Sequence, residues 1–312
     1  CHAWQNKQRG NLIMNIAENL KIILGEENVL ENEPMSRHTT FRTGGNADVF
    51  VTPSSVDEIG AVLEYVNKNN IPYYIIGNGS NLLVKDRGFR GVIIQLYKNF
   101  SKIETDGCII RAQAGALLSA VAKTAMNNSL SGMECLSGIP GTIGGAVCMN
   151  AGAYGGEIKD IVTEVKVIKN GKIETIDNAS AEFCYRGSRI MRENMIVLEA
   201  VINLEKGNKE EIQAKMKELM EQRNSKQPVE LPSAGSTFKR PEGYFAAKLI
   251  DDSGLRGFSV GGAQVSTKHC GFVVNTGGAT ADDIITLMKK VTDIVMEKFG
   301  VKLEPEIRII GE

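Results

Sequence analysis

Apolar and polar positions divide the chain into alternating strands and helices from about residue 14 onward. A helix is predicted over 15–24, beginning near Met14, and Asp48–Pro53 reads as a strand ended by its proline. Ser55-Val-Asp-Glu58 has the spacing of a capping box, and the helix it opens places Ile59, Val62, Leu63 and Val66 on one face. Ile71–Ile76 is a continuous apolar strand running into Gly77-Asn-Gly79, followed by a strand at Val92–Leu96, short strands near 102–105 and 108–113, and a helix around Leu117–Met126. Val162–Ile168 alternates with period two, Asn170-Gly171 signals a hairpin before Lys172–Ile176, and Ile196–Leu204 is a further strand. Lys209–Arg223 is dense in charge, keeps Ile212, Met216, Leu219 and Met220 on one helical face, and ends at Gln227-Pro228. Strands near 258–265 and 271–275, a capped helix from Thr280 to Phe299 and a final strand Lys302–Ile310 complete the pattern. Antiparallel signals beside βα units predict an α+β fold rather than a doubly wound parallel sheet.

The 312 residues match about two domains of roughly 150 each, and the composition shift places the boundary near 207. Residues 1–13 lack both an amphipathic period and the apolar centre of a signal peptide. They read as an N-terminal extension or expression remnant outside the fold. The net charge of -1 argues against binding nucleic acid through phosphate attraction, and no apolar run reaches the ~18 residues a membrane span needs. With only His2, His38 and His269, metal centres and Ser-His-Asp hydrolases lose ground. Six cysteines without a Cys-x-x-Cys pair suit a reducing, cytoplasmic compartment.

Glycine supplies 33 residues, above the usual ~7%, and the excess sits in clusters. Gly77-Asn-Gly-Ser-Asn-Leu82 follows a strand but lacks the third glycine and the helix of a dinucleotide fingerprint. It is either a phosphate-approaching loop or a tight Asn-Gly turn. Ser137-Gly-Ile-Pro-Gly-Thr-Ile-Gly-Gly145 and Asn150-Ala-Gly-Ala-Tyr-Gly-Gly156 leave main chain uncovered by side chains. That suits a flat polar ligand such as a dinucleotide, the alternative being a structural Ω-loop. Tyr185-Arg-Gly-Ser188 holds an arginine that either pairs with a carboxylate or awaits an anion. Ser233–Pro241 is a phosphate or hydroxyl loop or a plain turn. Leu303–Ile310 puts Glu304, Glu306 and Arg308 on one face of either a site or a solvated edge strand.

In order and spacing these segments, with Thr39-Thr-Phe-Arg-Thr-Gly-Gly45, Ala234-Gly-Ser236 and Glu306-Ile-Arg308, resemble the UDP-N-acetylenolpyruvoylglucosamine reductase family over about 14–312. The short connection after Tyr154 is similar to the shorter (type II) subclass. The resemblance implies an FAD-binding fold of the vanillyl-alcohol-oxidase (PCMH) type at 14–207, in subdomains of about 14–97 and 98–207. A C-terminal α+β substrate-binding domain would occupy 208–312, its last strand returning toward the flavin. It further implies non-covalent FAD, NADPH as co-substrate, and reduction of the enolpyruvyl ether of UDP-N-acetylglucosamine to UDP-N-acetylmuramate for peptidoglycan.

Residue by residue, the resemblance carries catalytic roles to Arg186, Ser236 and Glu306. Hydride addition to an unsaturated carboxylate builds an enolate-like charge, so a fixed cation and proton donors belong there. Glu306 would help only with its carboxyl pKa raised so that it keeps a proton, and Ser236 would protonate the carbanion. Flavin contacts are expected from Gly77, Asn78, Gly79, Ser80, Asn81, Leu82, Ser137, Gly138, Ile139, Pro140, Gly141, Thr142, Gly144, Gly145, Asn150, Ala151 and Gly152, with Arg308 a weaker candidate. Substrate contacts are expected from Tyr154, Lys226, Lys239 and Arg240. Two rival readings stay open: a flavin oxidase of the same fold acting on a small alcohol, and a non-catalytic nucleotide-binding module.

Overall fold

A computed structural model describes the backbone of residues 2–312 and the side chains of residues 13–312. Two compact units emerge, and neither is a single stretch of chain. One comprises the chain up to Glu31, Val49–Asn78 and Val92–Gln222; the other comprises Asn32–Asp48, Gly79–Gly91 and Arg223–Glu312. The boundary expected near 207 therefore has a different counterpart in the packing: the charged helix Lys209–Lys226 belongs almost wholly to the first unit. Its Ile212 and Leu219 are buried and its Met216 packs against that unit's core, whereas Met220, expected on the same face, is 41% exposed.

The first unit is built on a five-stranded antiparallel sheet ordered Lys172–Asp177, Val162–Lys169, Ile196–Asn203, Ile109–Gln113 and Ile103–Asp106. The predicted hairpin closes with Lys169 opposite Lys172. Asn170 and Gly171 take φ of 50° and 76°, the left-handed pair that a two-residue turn between twisted strands demands. Val165, Val167, Leu198, Ala200, Ile110 and Ala112 are buried within its core, with Leu118 and Val121 of helix Leu118–Asn127. In helix Val56–Lys68, Ser55 Oγ accepts the Glu58 amide at 3.1 Å as expected. The reciprocal bond, however, goes one residue further, from Ser54 N–H to the Glu58 carboxylate. Tyr73–Ile76 lies parallel to Val92–Gln95 at the edge of a four-stranded sheet, delivering the chain to Gly77.

Three expectations change here. The N-terminal helix runs His2–Leu24 rather than starting near 14. Its stretch ahead of the apolar positions contains no proline, so the backbone propagates; among the described side chains the buried stripe includes Ile16, Ala17, Leu20 and Leu24. Residue 1 of the segment set aside at 1–13 lies outside the described residues. Strand Val29–Pro34 has no clear counterpart in the sequence pattern because its exposed and partly buried positions follow no strict alternation. The supposed bare loop contains a helix, Ile143–Met149. Two glycines disfavour it by about 1 kcal/mol each. Ile143, Ala146 and Val147 are buried beside strand Ile196–Asn203, and burying each Ile or Val side chain contributes roughly 1.5–3 kcal/mol. A β-carbon at Gly144 would stand 2.9 Å from that of Ala114, so the weak helix former is what allows the close approach.

The second unit holds a three-stranded antiparallel sheet, Ser259–Val260, Ala263–Val265 and Val273–Asn275. The expected strand near 258–265 is thus a hairpin, broken at Gly261 (φ 53°). Helix Ala281–Phe299 turns Ile284, Leu287, Met288, Val291 and Val295 into the core with Phe41, Leu83 and Phe238. Thr280 and Asp283 form its capping box, Gly300 its left-handed C-cap, and the Asp86 carboxylate takes the Ala281 and Asp282 amides at 2.8 and 2.9 Å. The predicted final strand is only Arg308–Ile310, parallel to Leu82–Val84. Pro305, which cannot donate to a ladder, leaves a single bridge at Phe238 upstream. The α+β class holds throughout.

Candidate active site

In the first unit the two glycine clusters come together. Asn78 Nδ2 donates to the Pro140 carbonyl at 2.8 Å, and Gln95 Nε2 holds the Gly77 carbonyl at 3.0 Å. Any side chain at Gly77 would overlap Thr142 Oγ1, so glycine there is a condition of the contact. Not every residue of the second cluster keeps its amide for a ligand. Ser137 and Ile139 donate to Glu134 and Leu136 carbonyls; Ile143 and Gly144 donate to Ala116 and Ala114; Asn150 and Ala151 donate to Val147 and Ala146. Gly138, Gly141, Thr142, Gly145 and Gly152 are the positions to which the backbone expectation narrows.

Tyr154 and Arg186 each sit at a turn tip. Ala153 and Gly156 pair across a two-residue turn in which Tyr154 has φ 52° and Gly155 φ 88°. Cys184 and Gly187 exchange both backbone hydrogen bonds, at 3.0 and 3.2 Å, around Tyr185 and Arg186, whose φ is also 52°. Left-handed backbone at a large side chain costs on the order of 1–3 kcal/mol and persists where the surroundings enforce it. The Arg186 guanidinium donates to the Gly152 carbonyl at 3.4 Å and lies 5.2 Å from the Tyr185 ring centre. Glu157, which the motif reading passed over, is nearby. The Lys159 ammonium, at 2.7 Å, is the main reason its carboxyl lies below the ordinary value, with Asn150 and Arg186 adding to that and burial opposing it.

In the second unit, residues 65 to 69 positions apart are joined. Glu306 N–H donates to the Thr237 carbonyl at 2.8 Å, Lys239 N–H to that of Glu304 at 2.8 Å, and Phe238 bridges Pro305. Ser236 and Glu306, both singled out from sequence, therefore lie on adjacent strands of chain, Ser236 exposed and Glu306 half-buried. Thr237 is wholly buried: its amide reaches Gly271 O, and its hydroxyl accepts from Val273 N–H at 2.9 Å. Only tertiary pairing identifies it as the anchor of the serine. The rest of the first cluster also lies here. Asn81 Nδ2 donates to the Glu306 carbonyl at 3.2 Å, Asn81 O accepts from Arg308 N–H at 2.9 Å, and Leu82 is buried opposite Arg308. Gly79 (φ 63°) is pressed against the His38 carbonyl, where a β-carbon has no room.

The expected substrate residues of this unit are dispersed along its surface. Lys226 is the exposed last residue of its helix, and Lys239 pairs with Glu304 at 3.1 Å. Arg240 lies 3.9 Å from the Phe245 ring centre while donating to Tyr244 O. Among the described residues no group of His, Cys, Asp and Glu is arranged to hold a metal, and no helix is long and apolar enough to cross a membrane.

Comparison with known proteins gives a consistent picture. Residues 47–177 match the model of an FAD binding domain, and residues 227–310 match that of the UDP-N-acetylenolpyruvoylglucosamine reductase C-terminal domain. Two similar relatives carry the name UDP-N-acetylenolpyruvoylglucosamine reductase. One, from Caldanaerobacter subterraneus subsp. tengcongensis, is 50% identical over 95% of this chain and 98% of its own length. The other, from Lachnoclostridium phytofermentans, is 51% identical over 95% and 97%. The crystal structure of UDP-N-acetylenolpyruvylglucosamine reductase from Thermus caldophilus superposes with a TM-score of 0.78 at 34% identity, covering 91% of this chain and 98% of that one.

Proposed function

The chain belongs to the UDP-N-acetylenolpyruvoylglucosamine reductase family, and from that premise we propose how its residues carry out the reaction. It is an FAD-dependent oxidoreductase of peptidoglycan precursor synthesis. The finer reading takes NADPH as reductant, UDP-N-acetylglucosamine enolpyruvate as substrate and the cytoplasm as its location.

The residues fit a flavin dinucleotide. Gly77 packed on Thr142 brings bare backbone to one place. In the other unit, Thr40 Oγ1 is buried without a hydrogen-bond partner, and the Thr40 amide donates to Gly79 O at 3.3 Å. A hydroxyl left so costs about 1–3 kcal/mol, which a ligand's polar atom recovers. Within the first unit, Gly77, Gly138, Gly141, Thr142 and Gly145 would offer backbone to the flavin; within the second, Gly79, Ser80, Leu82 and Arg308 are the residues that the family resemblance assigns to it. FAD, when bound, carries hydride from the nicotinamide to the methylene carbon of the substrate.

The protein's part is electrostatic and acid–base. Arg186 supplies a permanent charge for the substrate carboxylate as electron density moves onto it. Ser236 Oγ would give its proton to the adjacent carbon, and Glu306 is assigned to the enolate-like oxygen. Tyr154, Lys226, Lys239 and Arg240 are assigned to the UDP-sugar. The observation that carries this reading is the 2.8 Å bond from Glu306 N–H to Thr237 O, which sets the serine segment beside the glutamate.

Purified protein should show flavin bands near about 370 and 450 nm and turn NADPH over catalytically only when the enolpyruvyl sugar is present. Substrate-independent oxidation of a small alcohol would favour the oxidase. A yellow protein that never turns over would favour the binding module. Gly77→Ala should lower the flavin-to-protein ratio of the purified protein several-fold, because its β-carbon takes the space of Thr142 Oγ1. Gly60→Ala, with open space around it in helix Val56–Lys68, should leave flavin content unchanged and raise stability by up to ~1 kcal/mol.

A further inference from the structure

We propose that Asn150 is a positioning residue for Arg186: its buried amide ties the Cys184–Gly187 turn to the Glu157 carboxylate and so fixes where the guanidinium sits. The inference rests on the reading of Arg186 as the cation that meets the substrate carboxylate.

Asn150 is completely buried and caps helix Ile143–Met149 in left-handed conformation, φ 43°. Its Nδ2 makes two donations, to the Cys184 carbonyl at 3.1 Å and to Glu157 Oε2 at 3.0 Å, while Oδ1 accepts the Lys159 amide at 3.1 Å. Both amide hydrogens are thus engaged by protein, so this side chain holds the frame and has no donor left for a flavin, the role expected from sequence. Cys184 begins the turn; at its far end Ser188, also wholly buried, donates from Oγ to Cys148 O at 2.9 Å. The turn carrying Arg186 is therefore fastened on both sides to the last residues of one helix.

That fastening answers the strain at Arg186. A φ of 52° at a residue with a long side chain relaxes unless the flanking chain is held. The guanidinium's bond to Gly152 O is long, 3.4 Å, and does not fix a charge tightly by itself. Its neighbours Gly152 and Glu157 are mounted two and seven residues beyond Asn150, and Asn150 bonds directly to the second. Aspartate would keep the acceptor for Lys159 N–H, lose both donations and set a second carboxylate against Glu157. Asparagine alone among small side chains supplies two donors, one acceptor and tolerance of left-handed backbone.

The test uses the flavin-loaded enzyme and two variants, Asn150→Gly and Asn150→Asp. Glycine keeps the left-handed backbone without strain; aspartate keeps the shape should glycine fail to fold. Stopped-flow absorbance follows flavin reduction by NADPH and reoxidation by the enolpyruvyl sugar, with and without Arg186→Ala. Both variants should retain flavin and reduction rate and slow reoxidation roughly 10- to 100-fold, as misplacement of a reacting group by about 1 Å does. In the Arg186→Ala background neither should slow it further. Loss of flavin, or equal slowing in both backgrounds, would overturn the proposal by showing a purely structural role. If Arg186→Ala slows reoxidation and the Asn150 variants do not, the positioning role alone falls. If Arg186→Ala leaves reoxidation unchanged, the catalytic reading of Arg186 falls and takes this one with it.

Discussion

Ser236→Ala should slow reoxidation of the flavin by the enolpyruvyl sugar by roughly 10²–10⁴-fold, the usual worth of a placed general acid, while reduction by NADPH proceeds at nearly the unchanged rate. The asymmetry follows from where the proton is needed: only the second half-reaction leaves a carbanion on the sugar ether. A hydroxyl is a poor acid toward water, yet that carbanion is basic enough to draw its proton. The substitution is also clean. Ser236 is exposed after Gly235 (φ 75°), and its segment is held by backbone of Thr237 and by the Thr237 hydroxyl rather than by its own Oγ. Rapid-mixing absorbance separates the two halves. Equal slowing of both would remove Ser236 from the chemistry and return it to a turn.

Arg186→Ala should also act on reoxidation, by roughly 10²–10³-fold, the loss seen when one preorganised charge-stabilising donor is removed. Substrate KM should rise with it, since the carboxylate is anionic in the ground state as well. Arg186→Lys should recover only part of the rate: an ammonium presents a point charge where the guanidinium presents a fixed planar fork. Flavin content should be unaffected in both variants, and their purified spectra check this. A variant that binds substrate weakly but turns over at the full rate when saturated would reduce Arg186 to an anchor.

Much of the scaffold was legible because its signals are short-range. Ser55 and Glu58, Asn170-Gly171, Thr280 with Asp283, and the apolar stripes of Val56–Lys68 and Ala281–Phe299 each fix φ and ψ or buried faces within a few residues. The misreadings have a common origin. Ile143–Met149 looked like bare loop because its glycines weaken local propensity, which burial of Ile143 and Val147 beside a distant strand outweighs. Lys302–Ile310 looked like one strand because period two ignores what Pro305 cannot donate. Residues 32–48 and 79–91 group in packing with the C-terminal segment, a discontinuity that no linear pattern along the chain signals.

The sequence by itself determined which chemical groups are present, a glycine-bared backbone and an arginine, a serine and a glutamate in family order, together with the local elements that carry them. Only the tertiary structure decided how those groups are used. It decided that Asn78 and Asn81 serve loop carbonyls, that Thr237 anchors the serine beside Glu306, and that Asn150 binds the arginine turn. Hydrogen bonds between residues tens or hundreds of positions apart form only after the chain has collapsed. No local pattern records which donor meets which acceptor.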